Sequence, residues 1–192
     1  MAKNPMDVFD LNIGRLCRAW ERLEWSVGCL FSNVAGMTQG PTGNMVRCLD
    51  LRDLLAAIKI GVVAQDADRT RYWTSEVLVT MDYIDNVLRN RRNRYVHDGI
   101  WNSELGVLRS LKAPKIQQAQ ARAPKALRHE ARVENISDLR ATLKSIKEMD
   151  DHVWRLIIWR ENLDKYPDEP PEPLEPFRPP LLPPHPTGTL LP

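Results

Sequence analysis

Apolar residues recur along this chain at alternating steps of three and four, the spacing that lines one side of an α-helix. From Met6 to about Val34 the stripe is Phe9, Ile13, Leu16, Trp20, Leu23, Val27 and Leu30, while Arg15, Arg18, Glu21 and Arg22 largely take the other faces. Trp20 and Trp25 are assigned to the core or a subunit interface, because aromatics at helical spacing mostly pack. A second stripe, Leu51, Leu55, Ile58 and Val62, predicts a helix over residues 45–65. Gly61 weakens that helix by about 1 kcal/mol relative to alanine without overturning the pattern. Val77, Met81, Ile84 and Leu88 predict a third helix from about Thr74. Leu139, Leu143, Ile146, Val153 and Ile157 predict a fourth, N-capped by Ser137 and reaching about Asp164. Trp154 and Trp159 add more apolar surface there than one face of a monomeric bundle needs, which suggests a subunit contact.

The breaks between these stripes are of different kinds. Gly36, Gly40, Pro41 and Gly43 make a loop, and a poor phosphate loop, since no Lys-Ser or Lys-Thr follows the glycines. Residues 66–71 are a polar turn. The connection between His97 and Ser137 is long and basic, carrying Arg109, Lys112, Lys115, Arg122, Lys125, Arg128 and Arg132, with Pro114 and Pro124 against one continuous helix. It is either a solvated connector or an arm that grips a nucleic-acid backbone, with room for short strands or a short helix. From Pro167 onward, proline density prevents helix and strand ladders and leaves an extended or disordered tail. Such a tail can dock on an aromatic groove, lie across its own domain or serve only as a solubilising terminus. The expected architecture is therefore all-α. An up-down-up-down four-helix bundle fills residues 1–166, with the long basic connection before its last helix, and a flexible Pro-rich tail follows over 167–192.

A chain of 192 residues suits one domain with a tail, and a formal charge of +2 excludes a globally basic nucleic-acid coat. Any polyanion site must be local. Residues 1–7 lack the apolar run of a signal peptide and no later apolar segment spans a bilayer, so a soluble cytoplasmic protein without a membrane partner is expected. Cys17, Cys29 and Cys48 have no metal-ligand spacing and read as buried, reduced thiols. No metal and no cofactor are expected.

One stretch carries more charge than its helix needs. Arg89, Arg91, Arg92 and Arg94 lie within six residues and lead to His97, then Asp98-Gly99. Cations stabilise a helix C-terminus by about 0.3–1 kcal/mol each, which accounts for one or two of them. Arg92-Asn93-Arg94-Tyr95-Val96-His97 has the form Arg-Asn-x-x-x-His, and on a helix Asn93 and His97 lie one above the other. Arg92 is five positions from His97, so a local distortion or the helix end must help the two converge. A histidine can take the proton of a ribose 2′-hydroxyl or give one to the leaving 5′-oxygen. An arginine fork can hold the non-bridging oxygens as charge builds on phosphorus, and an asparagine amide can orient ring or substrate. Attack by the 2′-hydroxyl needs no metal and leaves DNA inert.

Four predicted helices with Arg-Asn-x-x-x-His near the end of the third, followed by Gly99 and Trp101, resemble the HEPN superfamily over residues 6–164. The resemblance implies a metal-independent endoribonuclease of the kind found as toxins of toxin–antitoxin pairs, in phage defence and in CRISPR effectors. It also implies a site shared across a homodimer. Arg92 and His97 match the catalytic pair and Asn93 the polar residue after the arginine, while Arg91 to His97 satisfies a looser form of the motif. Arg89, Arg91 and Arg94 would then guide the RNA backbone, and an antitoxin or another protein is a possible partner. The alternative is a non-catalytic HEPN-like module that binds a nucleotide, RNA or a protein through the same arginines.

Overall fold

A computed structural model describes residues 4–37, 48–98, 100–103, 106–111, 130–166, 171–172, 174–178 and 182. The protein is mostly helical. Helix α1 spans Pro5–Val34, its first turn capped by Asn4, whose side chain accepts the Met6 amide, with Pro5 in the first helical position where its missing donor costs nothing. Helix α2 spans Leu51–Ala64, capped by Asp50 through the Asp53 amide, so it begins later than the apolar pattern suggested. Residues 38–47, which hold most of the predicted glycine loop and the expected start of this helix, lie outside the described residues. Helix α3 spans Arg71–Tyr83 and α4 spans Arg89–His97, joined by a π-helical turn over Ile84–Leu88. The last helix, α5, spans Ile136–Lys165. Its cap is Asn135, which accepts the Ser137 amide, rather than Ser137 itself.

The apolar stripes face one core. Phe9, Leu16, Trp20, Leu23, Val27 and Leu30 of α1 meet Leu55, Ile58 and Val62 of α2, Trp73, Val77 and Met81 of α3, and Leu139, Ile146, Val153 and Leu156 of α5 in one buried cluster. Helix α1 contacts α2, α4 and α5, α2 contacts α3, and α3 contacts α5. Gly61 marks the tightest approach: a Cβ there would sit 2.6 Å from Val34 Cγ1, and Gln65 reaches the Val34 carbonyl nearby at 2.6 Å. The glycine that weakens α2 is what lets it close on the end of α1. Of the two tryptophans assigned to the core or a subunit interface, Trp20 is in the core and Trp25, 52 % exposed, is not. Among the cysteines, Cys17 and Cys29 are half-buried and Cys48 is exposed, so the expectation of three buried thiols fails at Cys48.

The connection after His97 also departs from a purely helical chain. It holds a three-stranded antiparallel sheet, β1 (Ile100–Ser103), β2 (Gly106–Leu111) and β3 (Glu130–Val133), in that order. Trp101 pairs with Leu108 and Leu108 with Val133, while Gly106 takes the positive φ of 111° where the first hairpin closes. Ile, Trp and Val suit a pleated, half-buried surface, and Val107 and Leu108 bury their side chains. β1 and β2 contact α1. Arg109 and Arg132 are therefore strand residues whose Cα atoms pair, whereas Lys112, Lys115, Arg122, Lys125 and Arg128 lie outside the described residues.

Within the tail, residues 171–172 and 174–178 lie back on the helices. Leu174 and Phe177 are half-buried against the core, and Trp159 donates its indole N–H to the Glu172 carbonyl at 3.1 Å. The polar edge of Trp159 is thus met by the chain's own tail. No helix among the described residues is long and apolar enough to cross a membrane.

Candidate functional site

The arginine-rich motif occupies α4, and the backbone on both sides of it is irregular. Before it, the Arg89 amide donates to the Ile84 carbonyl five residues back, so the turn holds one residue more than an α-turn. After it, Asp98 takes an extended conformation (φ −84°, ψ 140°) and leads the chain into β1. His97 is the last helical residue. The predicted third helix thus does not run unbroken into the motif, and the faces of α4 are turned relative to those of α3.

Arg92 reaches its neighbours sideways. Its Nη1 donates to Asn93 Oδ1 at 3.0 Å and lies 3.5 Å from His97 Nε2, at the outer edge of hydrogen-bond range. The guanidinium carbon sits 5.7 Å from the ring centre of Trp20, whose own N–H is held by Glu24 at 2.6 Å. Arg92 Nε is buried with no hydrogen-bond partner among the described residues. A stranded donor costs about 1–3 kcal/mol, which cation–π contact with the indole partly offsets. An arginine can only donate, so its contact with Nε2 suits a neutral imidazole protonated on Nδ1. In that form Nε2 is the ring atom that takes a proton.

A cleft of about 540 Å³ runs alongside, lined by Asn86, Asn90, Arg91, Asn93, Arg94 and His97 among others, all from residues 86–98. Asn86, Asn90, Asn93 and His97 follow one another at steps of four, three and four, forming one helical row, with Arg91 and Arg94 in the row beside it. Among the described residues, every lining residue comes from one continuous stretch of chain. Arg92 does not line the cleft; it stands beside it, against Trp20, and touches His97 from there.

The other arginines are not equivalent. Arg89 is held by Asp85 at 2.7 Å, one helical turn back. Arg91 is buried, 8 % exposed, and its charge favours the phenolate of Tyr83, although burial is the larger effect and pushes that phenol's pKa up. Arg94 is half-buried and lines the cleft. Asn86 and Asn90 were not singled out by the motif, yet they extend the row of Asn93 and His97. Their i, i+4 and i+3 spacing was the available signal. Asn90 donates to the Asn86 carbonyl at 2.7 Å, which orients its amide along the helix.

Comparison with family models, with curated proteins and with solved structures returned no match.

Proposed function

We propose that this protein is a metal-independent endoribonuclease, acting as a homodimer on an up-down-up-down helical bundle, with Arg92, Asn93 and His97 at its centre. The observation that carries the reading is the meeting of Arg92 Nη1 with both Asn93 Oδ1 and His97 Nε2 at the border of the cleft. His97 accepts the 2′-hydroxyl proton, the oxygen attacks the adjacent phosphorus, and the 5′-oxygen leaves. Arg92 swings its outer nitrogens from Asn93 onto the non-bridging oxygens as charge accumulates there, and Asn93 holds ring or substrate in line. Arg94 and Arg91 follow the backbone along the cleft, while Arg89, engaged by Asp85, contributes less. A second copy laid across the cleft supplies a second His97, which can protonate the leaving oxygen.

The products are a 2′,3′-cyclic phosphate and a 5′-hydroxyl. Purified protein incubated with RNA in excess chelator is expected to yield those ends and to leave DNA of the same sequence intact. RNA that survives, or that His97→Ala cuts as fast as wild type does, would sink the reading.

A binding module is the second reading, and the row Asn86, Asn90 and Asn93 favours it, because carboxamides are readers of base edges. In that case Arg92→Ala and His97→Ala weaken RNA binding alike and no turnover is seen.

A further inference from the structure

The groove between α3 and α5 is built like a receptor for extended peptide. Three side chains from these two helices bind three main-chain groups of the tail. Trp159 donates to the Glu172 carbonyl at 3.1 Å, Tyr72 donates to the Leu174 carbonyl at 2.7 Å, and Glu76 accepts the Phe177 amide at 2.9 Å. As the tail advances from 172 to 177, its partners advance from Tyr72 to Glu76 along α3 and retreat from Trp159 to His152 along α5. The segment therefore lies lengthwise in the groove, parallel to one helix and antiparallel to the other.

Specificity comes from two side chains three positions apart. An extended chain rich in proline repeats every three residues, so Leu174 and Phe177 project on the same side, and both are half-buried against the core. Phe177 is the anchor: its ring meets Tyr83 edge-on at 5.4 Å and His152 at 4.9 Å. Main-chain bonds for affinity and spaced pockets for side chains are how peptide-recognition surfaces work.

Two features set this groove apart from ordinary tail packing. Glu76 is a buried carboxylate, and the hydrogen bond drawn to it comes from the tail amide, so a charge-bearing core position is committed to an incoming backbone. His152 is 1 % exposed and its Nε2 has no hydrogen-bond partner among the described residues. His152 also borders a cavity of about 440 Å³ shared with Arg155, Glu175 and Phe177. The resident segment thus fills the apolar part of the groove and leaves a polar group and adjoining room unmatched.

We propose that this groove is a recognition site for an extended, proline-bracketed peptide of the form Leu-x-x-aromatic, and that residues 171–178 are its resident ligand, exchangeable for such a segment of a partner protein. The inference is independent of ribonuclease activity. Prolines on either side keep the segment extended before it binds, which lowers the entropic cost of docking. The aromatic position must carry an N–H for Glu76, so proline is excluded there.

A fluorescein-labelled peptide with the sequence of residues 171–178 tests this by fluorescence anisotropy on the full-length chain. Phe177→Ala should bind it saturably. Wild type should bind at least about tenfold more weakly, because its tethered tail competes at high effective concentration. A peptide with alanine in place of phenylalanine should not bind Phe177→Ala, and adding Glu76→Gln to that variant should weaken binding several-fold. Equal affinity for wild type and Phe177→Ala, or for the two peptides, overturns the proposal. Should Phe177→Ala fail to fold, fluorophenylalanine labelling of wild type serves instead, since the chain holds only three phenylalanines. Excess peptide must then move one ¹⁹F signal to its solvent position, and three unmoved signals overturn the proposal. A wild-type dimer that Phe177→Ala converts to monomer would assign the groove to the tail of a second copy and overturn the partner reading.

Discussion

The two halves of the helical run from Arg71 to His97 do opposite things with their side chains. The first half, α3, buries Trp73, Val77, Thr80 and Met81 and gives its outer edge to the tail through Tyr72 and Glu76. The second half, α4, buries only Arg91 and Tyr95 and turns a row of amides, cations and one exposed histidine toward a cleft. Polar groups cost least where water or a ligand can reach them. The first half engages the chain's own tail through Tyr72 and Glu76, whereas the second presents its polar row at the surface. The contrast extends to the two histidines among the described residues: His97 is exposed at the helix end, and His152 is enclosed beside the docked Phe177.

The sharpest break in that contrast would come from His97→Ala. It should lower RNA cleavage by about 10²- to 10⁴-fold while leaving the thermal midpoint unchanged, because the side chain is exposed. Unaltered cleavage would put α4 in the same class as α3. Next in size is a pH effect at the other histidine. Burial, aided by the charge of Arg155, lowers the His152 pKa from 6.5 to about 4. The unfolded chain therefore takes up this proton first as pH falls. The contribution to stability is full above pH 6.5 and is lost progressively down to about pH 4, amounting to about 3 kcal/mol. Denaturant melts of wild type and His152→Leu across that window should differ by a slope that the variant lacks, and parallel curves would disprove it.

Arg92→Lys should remain about 10²-fold impaired, since a lysine cannot offer a planar fork to phosphate and lie over Trp20 at once. Initial cleavage rates at saturating RNA measure this, and near-wild-type activity would remove Arg92 from the centre. The smallest effects concern guidance. Arg94→Ala should reduce the salt dependence of RNA binding by about one counterion, and Arg89→Ala by clearly less, because Asp85 already holds that side chain. Equal slopes for the two variants would erase the distinction drawn between them.

Much of the helical scaffold was legible because the first three apolar stripes keep an unbroken three-four rhythm and the fourth skips one step, between Ile146 and Val153, and most of those residues are buried. The π turn was not, because Val77, Met81, Ile84 and Leu88 keep the same rhythm through it and are all buried. One added residue changes the phase of the downstream helix without leaving a gap in the pattern. Room was left for short strands after His97, but their places were not legible because they are short, and the pairing of Ile100–Ser103 with 106–109 has no Asn-Gly or Asp-Gly turn between them. Proline density announced an extended tail, but its landing place depends on Tyr72, Glu76 and Trp159, residues that sequence order scatters over two helices. At the candidate site the motif marked Arg92, Asn93 and His97. Asn86 and Asn90 were missed because an asparagine on a polar helix face carries no mark of its own until the face is seen to line a cleft.

The π turn at Ile84–Leu88 ties the direction of this surface to the packing of its helix. Deleting one residue from it would restore an ordinary α-helical ladder with little backbone cost, and every side chain downstream would rotate by about 100°. Tyr95, packed into the core from the same helix, would turn with the row that ends in His97. The site's orientation and the packing of α4 therefore depend together on that one added residue.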